Sequence, residues 1–364
     1  MTRVSPPDWP SHGGRRAPLL ARFGLPREHP LIDFSANLNP LGPPAWLGDW
    51  LGAAAGRLAD YPDPDDDRAR RAIAAREGLT PEQVLVTNGG AEAIYLAAAL
   101  HAGGRALVVE PTFGEYRRAC DHYGLLVVSL ALRGEAFRFD VAAAERALAE
   151  VDVAFLCRPN NPTGTLVPRE AIERLLARGR ETGTTLVVDE AFVDFTDGDE
   201  RLTPLLAGAP NLLLLRSLTK LFDLPGLRLG YLLGAPALLR GARARQMPWS
   251  VNALALGLVA PLLADADYLA RTRDWLAGQR PAMPEAVREL GYDVPATQAS
   301  YFLLRGGRRA AEAEALFAFL LRRGLLARHT HNFPGLDGRW LRLALRDGPD
   351  NARLLAALAE WRRP

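Results

Sequence analysis

Short apolar runs alternate with helical stretches through the middle of the chain. The runs are VLVT at Val84–Thr87, ALVVE at Ala106–Glu110, LLVVSL at Leu125–Leu130, VAFLC at Val153–Cys157, TLVVDE at Thr185–Glu190, LLLLRS at Leu212–Ser217 and LGYLLG at Leu229–Gly234. Most are continuously hydrophobic, as expected for strands that are covered on both faces of a sheet. Between them, Ala- and Leu-rich segments such as Ala91–Leu100, Val141–Glu150 and Arg169–Thr182 predict helices. The alternation predicts an α/β fold with a mainly parallel sheet.

The pattern changes after Pro248. Residues 253–291 predict one or two long helices interrupted at Pro281, because proline removes a backbone donor. Mixed strands and helices follow, with strands at Tyr301–Arg305, Leu325–Arg328 and Trp340–Leu345, a helix near Ala310–Arg323 and a last helix at the end. We predict an N-terminal arm over residues 1–40 that packs with the small domain, a large α/β domain over 41–252 and a small α+β domain over 253–364.

Composition narrows the class of protein. The chain has 364 residues, of which 48% are hydrophobic and 24% charged, as in globular proteins. Its 44 basic and 42 acidic residues leave a net charge of +2 without a basic block, so we expect neither nucleic acid nor a membrane as partner. Two separated cysteines and six histidines lack CxxC or HExxH spacing, so we expect no metal site. No apolar leader or long apolar run is visible, which favours a cytoplasmic protein.

One lysine, Lys220, stands among the 44 basic residues, and all the others are arginine. Such a composition indicates that arginine replaces lysine wherever a positive charge suffices. A primary amine can lose its proton and attack a carbonyl carbon, whereas a guanidinium stays protonated. The surviving lysine could be chance, but its sequence context favours a chemical role.

Two predicted strand ends carry loops suited to anions or polar ligands. Asn88-Gly89-Gly90 follows the first strand and opens a helix, whose free N–H groups and dipole can bind an anion. RPNNPTG at Arg158–Gly164 follows VAFLC and makes a rigid loop at the carboxyl edge of the sheet, where open α/β folds bind ligands. Considered alone, each of these two loops could also be a tight turn without a ligand.

Two further strand ends carry charge. Asp189 and Glu190 end a buried strand, where a carboxylate is costly unless a cation pairs with it. RSLTKLFDLPGLRLGY then brings Ser217, Thr219 and Arg228 near Lys220, and hydroxyls with an arginine suit phosphate oxygens. A structural acid is the alternative for Asp189.

These four motifs, in this order, resemble those of the fold-type I pyridoxal 5'-phosphate (PLP) enzymes, the aspartate aminotransferase superfamily. The resemblance implies a large PLP-binding domain with a mainly parallel sheet and a smaller α+β substrate domain. It implies that Lys220 bonds to the cofactor aldehyde, that Asp189 keeps the pyridine nitrogen protonated, and that Asn161 binds the phenolic oxygen. The residues that would hold the phosphate are Gly90, Ala91, Ser217, Thr219 and Arg228, with Glu92 nearby.

The resemblance also implies the ring contacts, the partner and the substrate contacts. Phe113 would stack on the ring, and Tyr61 in DYPDPDD would reach the phosphate in the neighbouring subunit of a homodimer. Arg342 in WLRLALR would clamp the substrate carboxylate, and Arg328 in LLARHTHNFPGL would be a second substrate-binding arginine. Further candidates for holding a small phosphorylated amino acid are His12, Asn37 and Asn161. Each of these residues also has a purely structural interpretation. Either arginine could be a surface charge, His12 could be an exposed residue of the arm, and Asn37 could support the loop.

Two positions depart from the family pattern. Many relatives read DEAY where this chain has DEAF, so Phe192 removes a hydroxyl beside the phenolic oxygen. Arg158 stands where relatives often have another residue, and we expect an exposed loop charge there.

The compact length and the NPLGPP, YPDP, DEAF and LPGLRLGY strings resemble the histidinol-phosphate aminotransferase branch. Within it, three segments resemble those of members that decarboxylate: HGG at His12–Gly14, DFSANLNPLGPP at Asp33–Pro44 and RHTHNFPGLDGRWLRLALR at Arg328–Arg346. The implied reaction converts L-threonine O-3-phosphate to (R)-1-amino-2-propanol O-2-phosphate and CO2 in cobalamin biosynthesis. A histidinol-phosphate or related class I/II aminotransferase is the alternative. A non-catalytic relative is disfavoured because Lys220 keeps its full context.

Overall fold

A computed structural model describes residues 9–363. Within them, the strands are β1 Ile32–Asp33, β2 Val84–Thr87, β3 Arg105–Glu110, β4 Leu126–Ala131, β5 Val153–Cys157, β6 Thr185–Asp189, β7 Leu212–Ser217, β8 Gly230–Gly234, β9 Tyr301–Leu304, β10 Leu325–Leu326, β11 Arg328–His329 and β12 Leu341–Ala344. The α-helices are α1 Arg16–Arg22, α2 Leu47–Ala54, α3 Asp67–Glu77, α4 Gly89–Ala99, α5 Glu115–His122, α6 Val141–Ala147, α7 Arg169–Thr182, α8 Leu218–Leu221, α9 Pro236–Arg243, α10 Ala253–Ala264, α11 Ala266–Glu289, α12 Ala310–Arg322 and α13 Gly348–Arg362.

The main sheet has seven strands in the order β2-β8-β7-β6-β5-β3-β4. Only β8 runs antiparallel to its neighbours β2 and β7, and the remaining pairs are parallel. The predicted mainly parallel sheet is thus confirmed, with strand ends within a residue of expectation. Because β2, β5, β6 and β7 run in one direction, their carboxyl ends meet at one edge of the sheet.

Each face of this sheet packs in its own hydrophobic core. In β5, β6 and β7 the even-numbered residues, such as Leu156, Val188 and Leu214, belong to the larger core cluster. The odd-numbered residues, such as Phe155 and Val187, belong to a second cluster beneath α4 and α5. This period of two follows from the pleat of a strand, and it assigns each residue near the strand ends to one of the two faces.

The C-terminal part forms a separate three-stranded antiparallel sheet in the order β11-β12-β9. The arm joins this part, because β1 pairs in parallel with β10 at Ile32–Leu325 and Asp33–Leu326. Helix α10 packs against α3. The proposed domain limits after residues 40 and 252 stay a prediction, and residues 1–8 and 364 of the outer parts lie outside the described residues.

The predicted interruption at Pro281 is wrong. Helix α11 continues through both Pro281 and Pro284, and the break falls earlier, between α10 and α11. There the Asp265 side chain accepts a hydrogen bond from the backbone N–H of Tyr268. A proline inside a helix removes one hydrogen bond, whereas a capping carboxylate starts a new helix.

Both cysteines, Cys120 and Cys157, are buried and free. Across residues 9–363, no group of three or more His, Cys, Asp or Glu side chains could hold a metal ion. In the same range no single helix is long and apolar enough to cross a membrane, although α10 and α11 together pass that test as a pair bent by 70°.

Candidate active site

A cavity of about 420 Å³ opens at the carboxyl ends of β2, β5, β6 and β7, between the main sheet and the C-terminal part. Most of the predicted site residues line it: His12, Asn37, Gly90, Ala91, Phe113, Asn161, Asp189, Ser217, Thr219, Lys220, Arg228, Arg328 and Arg342. The topology therefore gathers residues that are more than 300 positions apart in sequence.

The lysine and the buried carboxylate lie on adjacent strand ends. Lys220 is on the one-turn helix α8, directly after β7, and Asp189 is the last residue of β6. Burial and the charges of Arg228 and Arg342 lower the pKa of Lys220 to about 8. Burial raises the pKa of Asp189, although hydrogen bonds from the Tyr116 hydroxyl (2.7 Å) and the Ala191 N–H (2.9 Å) oppose that rise. The amine is thereby poised to exchange a proton near neutral pH.

One end of the cavity is a cradle of donors. Helix α4 begins at Gly89, so its first N–H groups point toward the edge where Ser217, Thr219 and Arg228 lie. The Ser217 and Thr219 hydroxyls are 2.8 Å apart. Gly89 has a φ of +78°, and a Cβ there would come 2.6 Å from Nη2 of Arg228. Glycine is therefore required both for the backbone turn and for the guanidinium to lie against the helix start.

Two arginines of the C-terminal sheet face the cavity side by side. Arg328 on β11 and Arg342 on β12 are directly opposite each other in the antiparallel register. Arg342 donates to Oδ1 of Asn161 and to the carbonyl of Ser35, at 2.5 Å each. Burial lowers the pKa of Arg328 to about 9, with a contribution from the charge of Arg342, and burial lowers that of Arg342 to about 10.

Neutral acceptors from the arm and from the C-terminal part hold Arg328. Its Nη2 donates to the Ser11 carbonyl and to Oδ1 of Asn332, both at 2.7 Å. Its Nη1 donates to the carbonyl of His329 at 2.9 Å. Within residues 9–363, neither Arg328 nor Arg342 forms an ion pair with a carboxylate. The cavity therefore holds buried positive charge that an anionic ligand could neutralise.

Two polar atoms in the cavity wall lack hydrogen-bond partners within the described residues. Oδ1 of Asn37 and Nε of Arg342 are buried and make no hydrogen bond to the described part of the chain. Unpaired buried polar atoms are uncommon in folded proteins and often mark a ligand site. His12 is bonded differently, since its Nε2 lies 3.0 Å from Oε1 of Glu115 and its ring lies 5.9 Å from that of Phe113.

Three residues singled out from the sequence, Arg158, Glu92 and Tyr61, lie outside the cavity. Arg158 is not an exposed loop charge: its side chain is 0% exposed and ion-pairs with Glu200 at 2.6 Å. Glu92 does not line the cavity, because its carboxylate accepts from the Asn88 N–H (2.6 Å) and from Gln246 (3.1 Å). Tyr61 is 82% exposed and lies outside the cavity.

The departure at Phe192 has a packing role. Its ring lines the cavity and meets the ring of Tyr301 edge-on at 5.0 Å. The Tyr301 hydroxyl in turn donates to the carbonyl of Asn160 at 3.1 Å. An apolar ring at residue 192 therefore packs against the support of the Asn160–Asn161 loop.

Sequence reasoning missed the residues that support this site. Tyr116, which binds Asp189, lies three residues after Phe113 at the start of α5, but nothing in the sequence marks its partner. Asn160 cross-links the loop through Thr112 (2.9 Å), the Pro111 carbonyl (2.9 Å) and Thr163 (2.8 Å). The doubled Asn in RPNNPTG was the only signal for its role.

A mainly parallel seven-stranded sheet with a lysine and a buried carboxylate at its carboxyl edge defines the class of fold-type I PLP enzymes. The chain belongs to the family described as aminotransferase class I and II, whose family model matches residues 29–358. Members of this family depend on PLP.

Among curated proteins, the chain is 36% identical to a threonine-phosphate decarboxylase of Salmonella typhimurium, over 96% of this chain and 95% of that one. Among solved structures, it is similar to L-threonine-O-3-phosphate decarboxylase from Porphyromonas gingivalis, with 30% identity and a TM-score of 0.79 over 90% and 98% of the chains. It shares its fold with histidinol-phosphate aminotransferase from Sinorhizobium meliloti in complex with pyridoxal-5'-phosphate, with 22% identity and a TM-score of 0.84 over 100% and 98%.

The residues present fit PLP. The close approach of Arg228 to Gly89 leaves a cradle of N–H, hydroxyl and guanidinium donors, which is the chemistry that a phosphate monoester requires. Asp189, buried with only neutral hydrogen-bond donors, suits a protonated pyridine nitrogen. Lys220 lies in the same cavity and offers the amine for the aldehyde.

Proposed function

We propose that the protein is a PLP-dependent carboxy-lyase that converts L-threonine O-3-phosphate to (R)-1-amino-2-propanol O-2-phosphate and CO2 in cobalamin biosynthesis. The observation that carries this proposal is the unpaired positive charge in one cavity. Arg228, Arg328 and Arg342 form no ion pair within residues 9–363. Three cations suit three anionic groups: the cofactor phosphate, the substrate phosphate and the substrate carboxylate. The decarboxylases among the relatives support the same assignment.

The proposed cofactor contacts follow the chemistry of each side chain. Lys220 forms the covalent bond to the aldehyde, Asp189 holds the pyridine nitrogen protonated, and Asn161 donates to the phenolic oxygen. The phosphate is bound by Gly90 and Ala91 N–H groups, Ser217, Thr219 and Arg228, and Phe113 stacks on the ring. When bound, PLP supplies an electron sink for the pair released at Cα of the substrate.

The proposed substrate contacts use the other end of the cavity. Arg342 binds the carboxylate, and Arg328 with His12 binds the phosphate, while Oδ1 of Asn37 accepts a hydrogen bond from the substrate. These contacts would fix the orientation of the substrate carboxylate, and orientation decides which bond at Cα breaks. Lys220 would hold a proton at Nζ and deliver it to Cα as CO2 leaves; the free amine, with a pKa lowered to about 8, can exchange a proton near neutral pH.

We further propose a homodimer in which Tyr61 reaches the partner's cofactor phosphate. Tyr61 is exposed and its ring lies 5.0 Å from that of Trp249, which is also exposed. Leu58 and Met247 are exposed as well, so this surface presents apolar side chains that a partner would cover. We place the enzyme in the cytoplasm, in keeping with two free cysteines.

The test is one pair of assays on purified holoenzyme. With L-threonine O-3-phosphate we expect CO2 and aminopropanol phosphate in equal amounts, and we expect Lys220→Arg to abolish both. With histidinol phosphate and 2-oxoglutarate we expect no glutamate. Glutamate formation without CO2 would instead identify an aminotransferase, which is the second candidate function. We consider it because the chain shares its fold with a histidinol-phosphate aminotransferase.

A further inference from the structure

Three charged side chains lie at neighbouring strand ends on the face of the sheet away from the cavity. Arg158 directly follows β5, Glu190 directly follows β6, and Arg216 is the last but one residue of β7. All three are even-numbered and continue the face of Leu156, Val188 and Leu214. Their exposed fractions are 0%, 1% and 2%, and none of them lines the cavity.

Glu190 is the carboxylate that joins the two arginines. Its Oε2 lies 2.9 Å from Nη2 of Arg216, and its Oε1 lies 3.8 Å from Nη1 of Arg158. Oε1 also accepts the N–H of Leu202 at 3.0 Å. A single carboxylate therefore makes charge contacts with both arginines at the carboxyl ends of β5 and β7, although its Oε2 has no hydrogen-bond partner in the described structure.

Further groups enclose this triad. Arg158 donates to the carbonyl of Val167 at 2.7 Å and to Oε2 of Glu200 at 2.6 Å. Arg216 donates to Oγ1 of Thr203 at 3.0 Å and lies 3.7 Å from Glu77. Nε and Nη1 of Arg216 nevertheless remain buried without a hydrogen-bond partner in the described structure.

The arrangement is costly for stability alone. A buried ion pair often contributes no more stability than apolar side chains of the same volume, because its desolvation offsets its attraction. What such a pair does supply is directional contact between particular chain segments. Here those segments end in residues of the active site: Ser217 follows Arg216, Asp189 precedes Glu190, and Asn161 is in the loop that Arg158 opens.

We propose that Glu190 is a positioning residue for the cofactor site: by pairing with Arg158 and Arg216 behind the sheet, it sets the spacing of the strand ends that carry Asn161, Asp189 and Ser217. The proposal rests on the cofactor contacts put forward under the proposed function. A shift of one strand end by a fraction of an ångström would move one cofactor contact relative to the others. Glu190 does not touch the cavity, so it acts only through its neighbours.

The experiment compares Glu190→Gln, which keeps the shape and removes the charge, with the wild type. The readouts are the dissociation constant of PLP from the apoenzyme and the pH titration of the visible absorbance of the lysine-bound cofactor. We expect PLP affinity to fall about tenfold, because the carboxylate that attracts both arginines is lost and the strand ends are free to shift. We also expect the titration midpoint to move, and Glu190→Asp, which restores the charge, to recover part of both changes.

Asp293→Asn is the control for the loss of an ion pair outside the cavity. Asp293 lies 2.7 Å from Arg305 in the C-terminal part; the Arg305 side chain is 6% exposed and the Asp293 side chain is 60% exposed, so this pair is less buried than that of Glu190. This control is expected to change stability less than Glu190→Gln does and to leave PLP affinity and the titration unchanged. If Glu190→Gln and Glu190→Asp behave like Asp293→Asn, the positioning role is overturned. Asp189→Asn separates the two proposals: if it too leaves PLP affinity unchanged, the cofactor contacts themselves are wrong. None of these measurements uses a substrate, so they do not depend on which reaction is catalysed.

Discussion

The buried arginines behind the main sheet and those of the C-terminal sheet that face the cavity have opposite kinds of partner. Behind the sheet, Arg158 and Arg216 are paired with carboxylates. In front of it, Arg328 and Arg342 are held by carbonyl and amide oxygens and by a histidine ring. Both pairs of arginines are almost fully buried, so the difference lies in the partners and not in solvent access.

The pKa values of Arg216 and Arg328 shift in opposite directions because of this difference. The carboxylates around Arg216 raise its pKa against the effect of burial. The pKa of Arg328, by contrast, is lowered to about 9 because neutral acceptors do not offset its desolvation. The protein itself neutralises the charge behind the sheet, whereas Arg328 and Arg342 have no carboxylate partner within residues 9–363. Charge pairing therefore distinguishes the two groups of arginines, and the unpaired group is the one that we propose to bind a ligand.

Breaking a pair behind the sheet should have the largest effect on folding. Arg158→Met leaves Glu190 and Glu200 without that cation, and we expect the free energy of unfolding to fall by about 4 kcal/mol. Urea denaturation of the apoprotein measures it. Arg328→Met is the matched substitution in front of the sheet, and we expect a loss below about 1 kcal/mol, because it removes a buried charge that has no carboxylate partner. Equal losses at both positions would contradict the distinction between the faces.

This contrast also marks how far the sequence predicts the molecule. Local pattern was enough for β5 and α7, which have the predicted bounds, and for the strand-end motifs that meet in the cavity. It was not enough for Arg158, since burial of an arginine depends on acids such as Glu200 that are distant in sequence. Tyr116 was missed for the same reason: its hydroxyl matters only once β6 brings Asp189 beside α5. Pairing partners come from tertiary structure, which a single sequence does not display.

The pH dependence of the free energy of unfolding should show directly how much it costs to bury the charged amine of Lys220. Its pKa is lowered from 10.5 to about 8 in the folded apoprotein. Below pH 8 both folded and unfolded chains hold the proton, so the full cost of burying the charge acts against folding. Between pH 8 and 10.5 the folded chain loses the proton while the unfolded chain keeps it, so the cost disappears as pH rises.

We therefore expect apo Lys220→Met to be more stable than the wild type at pH 7, by about 3 kcal/mol, and the gap to close toward pH 10.5. Urea denaturation at several pH values measures the gap. Lys220 is the only lysine in the chain, so no other lysine contributes to the difference between the two proteins. A gap that stays constant over this range would show that the amine is not desolvated.

The smallest effect tests the other half of the comparison, that the charge in the cavity serves a ligand. Arg328→Gln keeps a donor but removes the charge that we assign to the substrate phosphate. One charge-assisted hydrogen bond contributes about 2 kcal/mol, so we expect the KM for L-threonine O-3-phosphate to rise about 30-fold with a much smaller change in kcat. PLP affinity should not change, because Arg228 and not Arg328 is assigned to the cofactor phosphate. Steady-state kinetics with L-threonine as the dephosphorylated comparison measures this: the variant should lose the preference for the phosphorylated substrate. If kcat falls while KM stays constant, Arg328 acts on the chemical step and the front of the sheet is not a simple anion-binding face.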